Sequence, residues 1–184
     1  MRKYLTVSET KKLFTIISDK RDNLLFKLCY LYGMRISEAL GLSLDSFDLV
    51  GGKISIKALK GGQYSVSPLR PDLLIEVKNF INKYRIQTDS NYLFATKWSD
   101  KMSRVTAFYL FKGYTTKAGI SPDKRHPHSL RHSTVVHMAE AGVGVWEVKE
   151  FVRHKSINST QIYFDQTSKT KLDNQTKSLK LMAI

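Results

Sequence analysis

The sequence predicts a mainly α domain carrying a small antiparallel three-stranded sheet, an α+β class, and three observations predict it. Apolar residues recur at helical spacing along most of the chain, starting behind the capping pattern Thr6-Val-Ser-Glu9. Between Phe47 and Leu69 the period drops to two, with Gly51-Gly52 and Gly61-Gly62 separating the alternating runs. No internal repeat, low-complexity tract or Pro/Ser-rich linker divides the 184 residues, and a 42% hydrophobic content is enough for one core.

Thr6 and Glu9 start a helix over residues 7–18, with Leu13, Phe14 and Ile17 on one face. Asp22 is read as opening a second helix, with Leu24, Leu25, Leu28 and Leu31 inward and Phe26 and Tyr30 on the flanks; Gly33 ends it. Arg35 to Leu40 forms a short third helix closed by Gly41. Residues 47–49, 53–59 and 64–69 are the strands of the meander. Pro71-Asp72 then opens a helix whose core stripe is Leu74, Val77, Phe80, Ile81 and Tyr84. Tyr92-Leu-Phe94 reads as a short strand or an extended connection. Ser103 caps a helix to about Ala118, and Gly119 stops it. A further helix runs from Ser129 to Ala141 with Leu130, Val135, Met138 and Ala139 inward, and shorter ones cover 145–152 and 159–164. From Gln166 the tail is polar and lysine-rich, then ends on Leu179, Leu181, Met182 and Ile184.

Charge narrows the function. Thirty Lys+Arg against 16 Asp+Glu give a formal +14. Such an excess is self-repelling unless it meets a polyanion, which points to nucleic acid. The single cysteine, Cys29, excludes an intramolecular disulfide framework; it lies in an apolar run, as a buried thiol would, and suits a reducing compartment. With no N-terminal apolar signal region and no run of 18 apolar residues, the expected location is cytoplasmic, nucleoid-associated when bound to DNA.

All five histidines fall between His126 and His154, mostly in His126-Pro-His-Ser-Leu-Arg-His132. His128 and Arg131 share a face at a helix start, where backbone N–H groups and a guanidinium both favour a phosphate. His128 and His132, one turn apart, raise a zinc alternative; no glutamate follows His128 as in His-Glu-x-x-His, and Cys29 is far upstream, so no metal is expected. Arg35 and Glu38 sit three apart, as a surface ion pair or as part of a site. Lys60 occupies a glycine turn, solvated unless the hairpin faces an anion. Tyr163 alone reads as a core aromatic. Convergence alters these readings: two arginines, a lysine, two histidines and a tyrosine are what metal-free phosphoryl transfer on a DNA phosphodiester requires.

Tyr32-Gly-Met-Arg-Ile-Ser-Glu-Ala-Leu40, the Lys60-Gly turn, His128-Ser-Leu-Arg-His132 and His154-Lys-Ser-Ile-Asn-Ser-Thr-Gln-Ile-Tyr163 resemble the successive boxes of the tyrosine recombinase (phage integrase) catalytic domain over residues 4–170. The resemblance implies that family's fold and a site-specific recombination enzyme that cuts and rejoins DNA through a 3′-phosphotyrosyl intermediate, without cofactor, metal or ATP. It implies Tyr163 as nucleophile, Arg35, Arg131 and His154 as stabilisers of the transition state, Lys60 as the acid for the leaving 5′-oxygen and His128 in proton transfer. Glu38 matches the acidic position that steadies the active-site arginine, His126 and His132 are left as structural or positioning residues, and Arg104 and Arg153 are added as DNA contacts. The family usually has glycine where this chain has Arg153, so that side chain is expected to point away from the site or to add a phosphate contact. Expected partners are double-stranded DNA at specific sites and further copies of the chain, dimer to tetramer, with no membrane. The alternatives are type IB topoisomerase-like relaxation and a non-catalytic DNA-binding protein of the same fold.

The expected organisation is a single catalytic domain over 1–184, with a core at 4–165 and a tail at 166–184. That tail is either an apolar plug docking on a neighbouring protomer or a frayed terminus. No N-terminal core-binding domain is expected within the chain, which reads as an excised fragment or as a natural short recombinase similar to the fimbrial inversion enzymes.

Overall fold

A computed structural model describes residues 3–57 and 64–165. The first helix, α1 (Val7–Ile16), starts on the Thr6–Glu9 capping box that the sequence announces, with Thr6 Oγ1 accepting from Glu9 N. It stops two residues short of the expected end, where Ile17 turns extended. Helix α2 (Lys20–Leu31) is the hub of the core, and Leu24, Leu25, Phe26, Leu28 and Cys29 are fully buried along it. Its cap is Asp19, whose carboxylate accepts from Asp22 N at 2.9 Å. Asp22 therefore does not open the helix as expected. It lies inside, accepting hydrogen bonds from Tyr114 Oη and Arg21 Nε.

Gly33, at φ +55°, turns the chain into α3 (Ile36–Ala39). The sheet follows in the expected order: β1 (Phe47–Asp48), β2 (Lys53–Lys57) and β3 (Tyr64–Pro68) pair antiparallel as β1-β2-β3. Alternation on β2 sends Ile54 and Ile56 into the core, whereas β3 leaves Tyr64 and Val66 outward. Residues 58–63, with the Lys60 turn, lie outside the described residues, as does the tail from 166.

Helix α4 (Pro71–Asn79) buries Leu73 and Val77 and runs into a π turn at Phe80–Tyr84, closed by Arg85 N donating to Phe80 O at 2.8 Å. The extra residue in that turn breaks the expected stripe. Phe80 is buried, but Tyr84 swings out to 52% exposure instead of joining the core. Helix α5 (Arg104–Lys117) begins on the Ser103 cap, and Gly119 (φ +67°) follows it. Helix α6 (His128–Glu140) packs along α2, tied by Thr134 Oγ1 to Tyr30 O and by Tyr30 Oη to His137 Nδ1 at 2.8 Å. Helix α7 (Val145–Phe151) and a helical segment at 158–165 close the described fold. Their apolar support is a separate small cluster, the buried Val135, Val148 and Val152 with partly buried Met138, Tyr163 and Phe164 around them.

Candidate active site

The carboxylate of Glu38 organises one wall. Arg35 N donates to its Oε2 at 2.9 Å and Arg35 Nη1 to its Oε1 at 2.8 Å, so a single side chain fixes the start of α3. The Glu38 side chain has no solvent exposure, while that of Arg35 keeps 36%. Gly33 brings this turn close to the end of α7: a Cβ added there would meet Val152 Cγ1 at 2.7 Å. Both the positive φ and this approach require glycine.

Arg131 enters from the first turns of α6 and is completely buried. Its Nη1 donates to Gly33 O at 2.6 Å and stands 3.8 Å from Glu38 Oε2. Its Nε and Nη2 have no hydrogen-bond partner among the described residues. Desolvation, helped by the charge of Arg35 and opposed by Glu38, pulls the guanidinium down to about 9, which still leaves it charged near neutrality. A buried cation with two unused donors is a costly arrangement for stability and a ready one for an oxyanion.

Arg153 belongs to the same wall. Its backbone is left-handed at φ +58°, a conformation that costs a residue with a Cβ about 1–2 kcal/mol. Its side chain is 7% exposed and lies 3.4 Å from Glu38 Oε2. Nη2 donates to Tyr32 O at 3.0 Å and Nη1 to Phe151 O at 2.9 Å. The DNA contact expected at Arg153 has no counterpart in these contacts, which all lie within the chain. The φ angle explains why glycine suits the position, and the side chain, rather than pointing away or outward to phosphate, folds in against a carboxylate.

The facing wall is made of imidazoles and a phenol. His128 and His132, one turn apart on α6, stand edge to face with ring centroids 4.3 Å apart. Segment 158–165 delivers Tyr163, whose hydroxyl hydrogen-bonds His132 Nδ1, with ring centroids 5.4 Å apart. The tyrosine hydroxyl thus meets His132, which the sequence leaves as a structural or positioning residue. His154 pairs through Nδ1 with Thr160 Oγ1 at 2.8 Å, joining the α7 exit to the tyrosine segment.

These imidazoles are held neutral. His132 is lowered to about 3 by desolvation, then by His128, His126, Arg131 and His154. His154 is lowered to about 4 by desolvation, then by Arg131, Arg35, His128 and Arg153. His128 moves the same way for the same first reason, although its exposed edge admits water and weakens the effect. Burial pushes the Tyr163 phenol up, and the charge of Arg131 pulls against it. A phenol raised in this way needs a proton acceptor, and the neutral imidazole in contact with it is one whose basicity an anionic phosphate brought into the site would raise.

The structure therefore gathers Arg35, Glu38, His128, Arg131, His154 and Tyr163 around one locus, adding His132, Arg153 and Thr160. The one sequence clue to His132 is its helical spacing from His128. Arg104 stands apart, exposed in the first turn of α5, and Lys60 lies outside the described residues. Among the described residues, no helix is long and apolar enough to cross a membrane.

A helical domain with a three-stranded sheet, gathering arginines, histidines and a tyrosine at one point, defines the class. The model of the phage integrase family matches residues 3–170, and the chain belongs to that family. The tyrosine recombinase XerA of Pyrococcus furiosus is 38% identical over 172 residues, 91% of this chain and 58% of that protein. The chain thus spans little more than half the length of this relative. The type 1 fimbriae regulatory protein FimE of Escherichia coli K12 is 30% identical over 88% of this chain and 85% of its own length. Among solved structures, the XerH site-specific recombinase in a post-cleavage complex with a palindromic difH substrate superposes with TM-score 0.82 at 25% identity, over 96% of this chain and 53% of that one. The catalytic domain of bacteriophage HP1 integrase shares the fold with TM-score 0.67 at 20% identity, covering 95% of this chain and 93% of that domain.

Proposed function

We propose that this chain is the catalytic domain of a site-specific DNA recombinase, in which Tyr163 attacks a backbone phosphate. The observation that carries this reading is the Tyr163 hydroxyl bonded to His132 Nδ1, within range of the buried Arg131 charge. As the bond from Tyr163 Oη to phosphorus forms, its proton passes to His132 Nδ1 and the bond from phosphorus to the 5′-oxygen breaks. The leaving oxygen takes a proton from Lys60, the acid that the family resemblance implies. Arg35, Arg131 and His154 stabilise the charge that develops on the phosphate oxygens. In the tautomer that accepts from Thr160 at Nδ1, His154 carries its proton on Nε2 and offers it to one of those oxygens.

The product is a 3′-phosphotyrosyl diester and a free 5′-hydroxyl. It conserves the energy of the broken bond, so reversal onto a second 5′-hydroxyl needs neither ATP nor a metal. A homo-oligomer, dimer to tetramer on double-stranded DNA, follows from the need to hold two duplexes together, and the setting is the cytoplasm, on the nucleoid. The excess of cations over the whole chain supports binding that weakens steeply with salt.

The test uses the full chain and a duplex chosen by binding from a randomised pool, then nicked beside the cleavage position so that the cut fragment escapes. A covalent protein–DNA band should form, survive EDTA and vanish in Tyr163→Phe. Failure to form it, or its loss on chelation, overturns the reading.

A further inference from the structure

Arg153 is an anomaly within the family pattern. Its backbone sits at φ +58°, where side chains with a Cβ are strained, and its guanidinium is folded inward. Strain of this sort persists only where the surroundings fix it. What fixes Arg153 is a set of three acceptors on three pieces of chain: Phe151 O at the end of α7, Tyr32 O after α2, and Glu38 Oε2 on α3. The next residue is His154. The same carboxylate oxygen that meets Arg153 also receives Arg35 N and lies 3.8 Å from Arg131 Nη1.

We propose, building on the function above, that Arg153 is a positioning residue: it ties the loop carrying His154 to the Glu38 carboxylate that also registers Arg35 and Arg131. Where a glycine would leave that loop held by backbone alone, the forked guanidinium spans helix end, turn and carboxylate at once. The imidazole of His154 is thereby placed by the same group that places both arginines. Unlike Arg131, Arg153 has both Nη1 and Nη2 engaged by protein acceptors, so its effect falls on the reaction and not on affinity.

The experiment compares wild type, Arg153→Gly, Arg153→Lys and Arg153→Gln as full chains on the nicked duplex. Arg153→Gly relieves the backbone and removes the tie; Arg153→Gln retains a stem for packing should the glycine variant fold poorly. The single-turnover cleavage rate at saturating DNA should fall about 10- to 100-fold in the glycine and glutamine variants, as expected of a misplaced transition-state group. The lysine variant, one point donor in place of a fork, should fall between. Kd should stay within about twofold, and the slope of log Kd against log salt should not change.

An NMR titration of His154 without DNA separates this from a purely structural role. The groups that hold this imidazole neutral, besides its burial, are Arg131, Arg35, His128 and Arg153, with Thr160 on Nδ1. Removing Arg153 should raise the His154 midpoint, whereas a general loss of stability would lower the Tm and leave that midpoint where it was. A saturating rate equal to wild type overturns the proposal. So does weaker binding with a salt slope reduced by about one, the mark of a lost phosphate contact. If wild type itself forms no covalent band, the recombinase reading falls. The titration then decides alone in Arg153→Lys, which keeps the charge and loses the fork: an upward shift there supports the tie and an unmoved midpoint overturns it.

Discussion

The two walls of the site are built differently. The Glu38 wall rests on the main core: α3 follows directly from α2, whose Leu24, Leu25 and Leu28 are fully buried, and Arg131 is locked from α6 onto Gly33 O. The tyrosine wall rests on the small cluster of Val135, Val148 and Val152, with Tyr163 only half-buried at its edge. Few buried apolar contacts mean a low cost of local opening. In the proposed reaction the charges that meet the phosphate therefore lie on the better-supported wall, and the tyrosine lies on the wall with less apolar support among the described residues. Preorganised charge acts without reorganisation at the moment of reaction, which makes the rigid wall the better place for it.

The contrast can be broken most forcefully at the proton acceptor. His132→Phe should lower single-turnover cleavage by about 10²–10⁴-fold, the usual range for losing a general base, with duplex affinity little changed. An equal loss in His128→Phe with His132→Phe near wild type would return the role to the residue that the sequence points to. On the rigid wall, Arg131→Met should cost about 10²–10³-fold in rate. Its effect on the Tm should be small, because removing a buried cation with two unpartnered donors offsets leaving Gly33 O without its donor. A large fall in Tm would show that Arg131 holds the fold rather than the reaction.

Gly33→Ala probes the joint between the walls. A Cβ at φ +55° and 2.7 Å from Val152 Cγ1 should cost about 2 kcal/mol, a Tm drop of roughly 4–8 °C in a domain of this size. The broadest effect is on pH dependence. His132 and His154 titrate near 3 and 4 in the folded chain, against about 6.5 when unfolded. Between those values the unfolded chain binds more protons, so stability is full above pH 6.5 and is lost as pH falls toward 4. Thermal melts at pH 7, 6, 5 and 4 should show this decline, shallower in His132→Asn; a flat profile would contradict the neutral imidazoles.

What the sequence made legible was local. Capping residues marked α1 and α5, glycines marked helix ends and the turn between β1 and β2, and period-two alternation located the strands. The boxes around Arg35, Arg131, His154 and Tyr163 pointed to side chains that the fold brings together, because each is a short run within one element or turn. What it concealed depended on approach through space. Tyr163 reaches α6 from 31 residues further along, and which of two histidines on one helical face it meets is set by the packing of 158–165. The inward fold of Arg153 depends on a φ angle that its letter argues against. Tyr84 was lost to the core by one extra residue in a helical turn, and Asp19 displaced Asp22 as a cap because Asp22 is needed inside by Tyr114.

The most direct test of the central claim is to locate the covalent bond. The adduct formed on the nicked duplex should be digested with nuclease and protease and its peptides analysed by mass spectrometry. The account predicts one nucleotide-bearing peptide, the one containing Tyr163, with the phosphate on the phenolic oxygen and a free 5′-hydroxyl on the released strand. A nucleotide on any other residue, or a 5′-phosphate on the released strand, would contradict it.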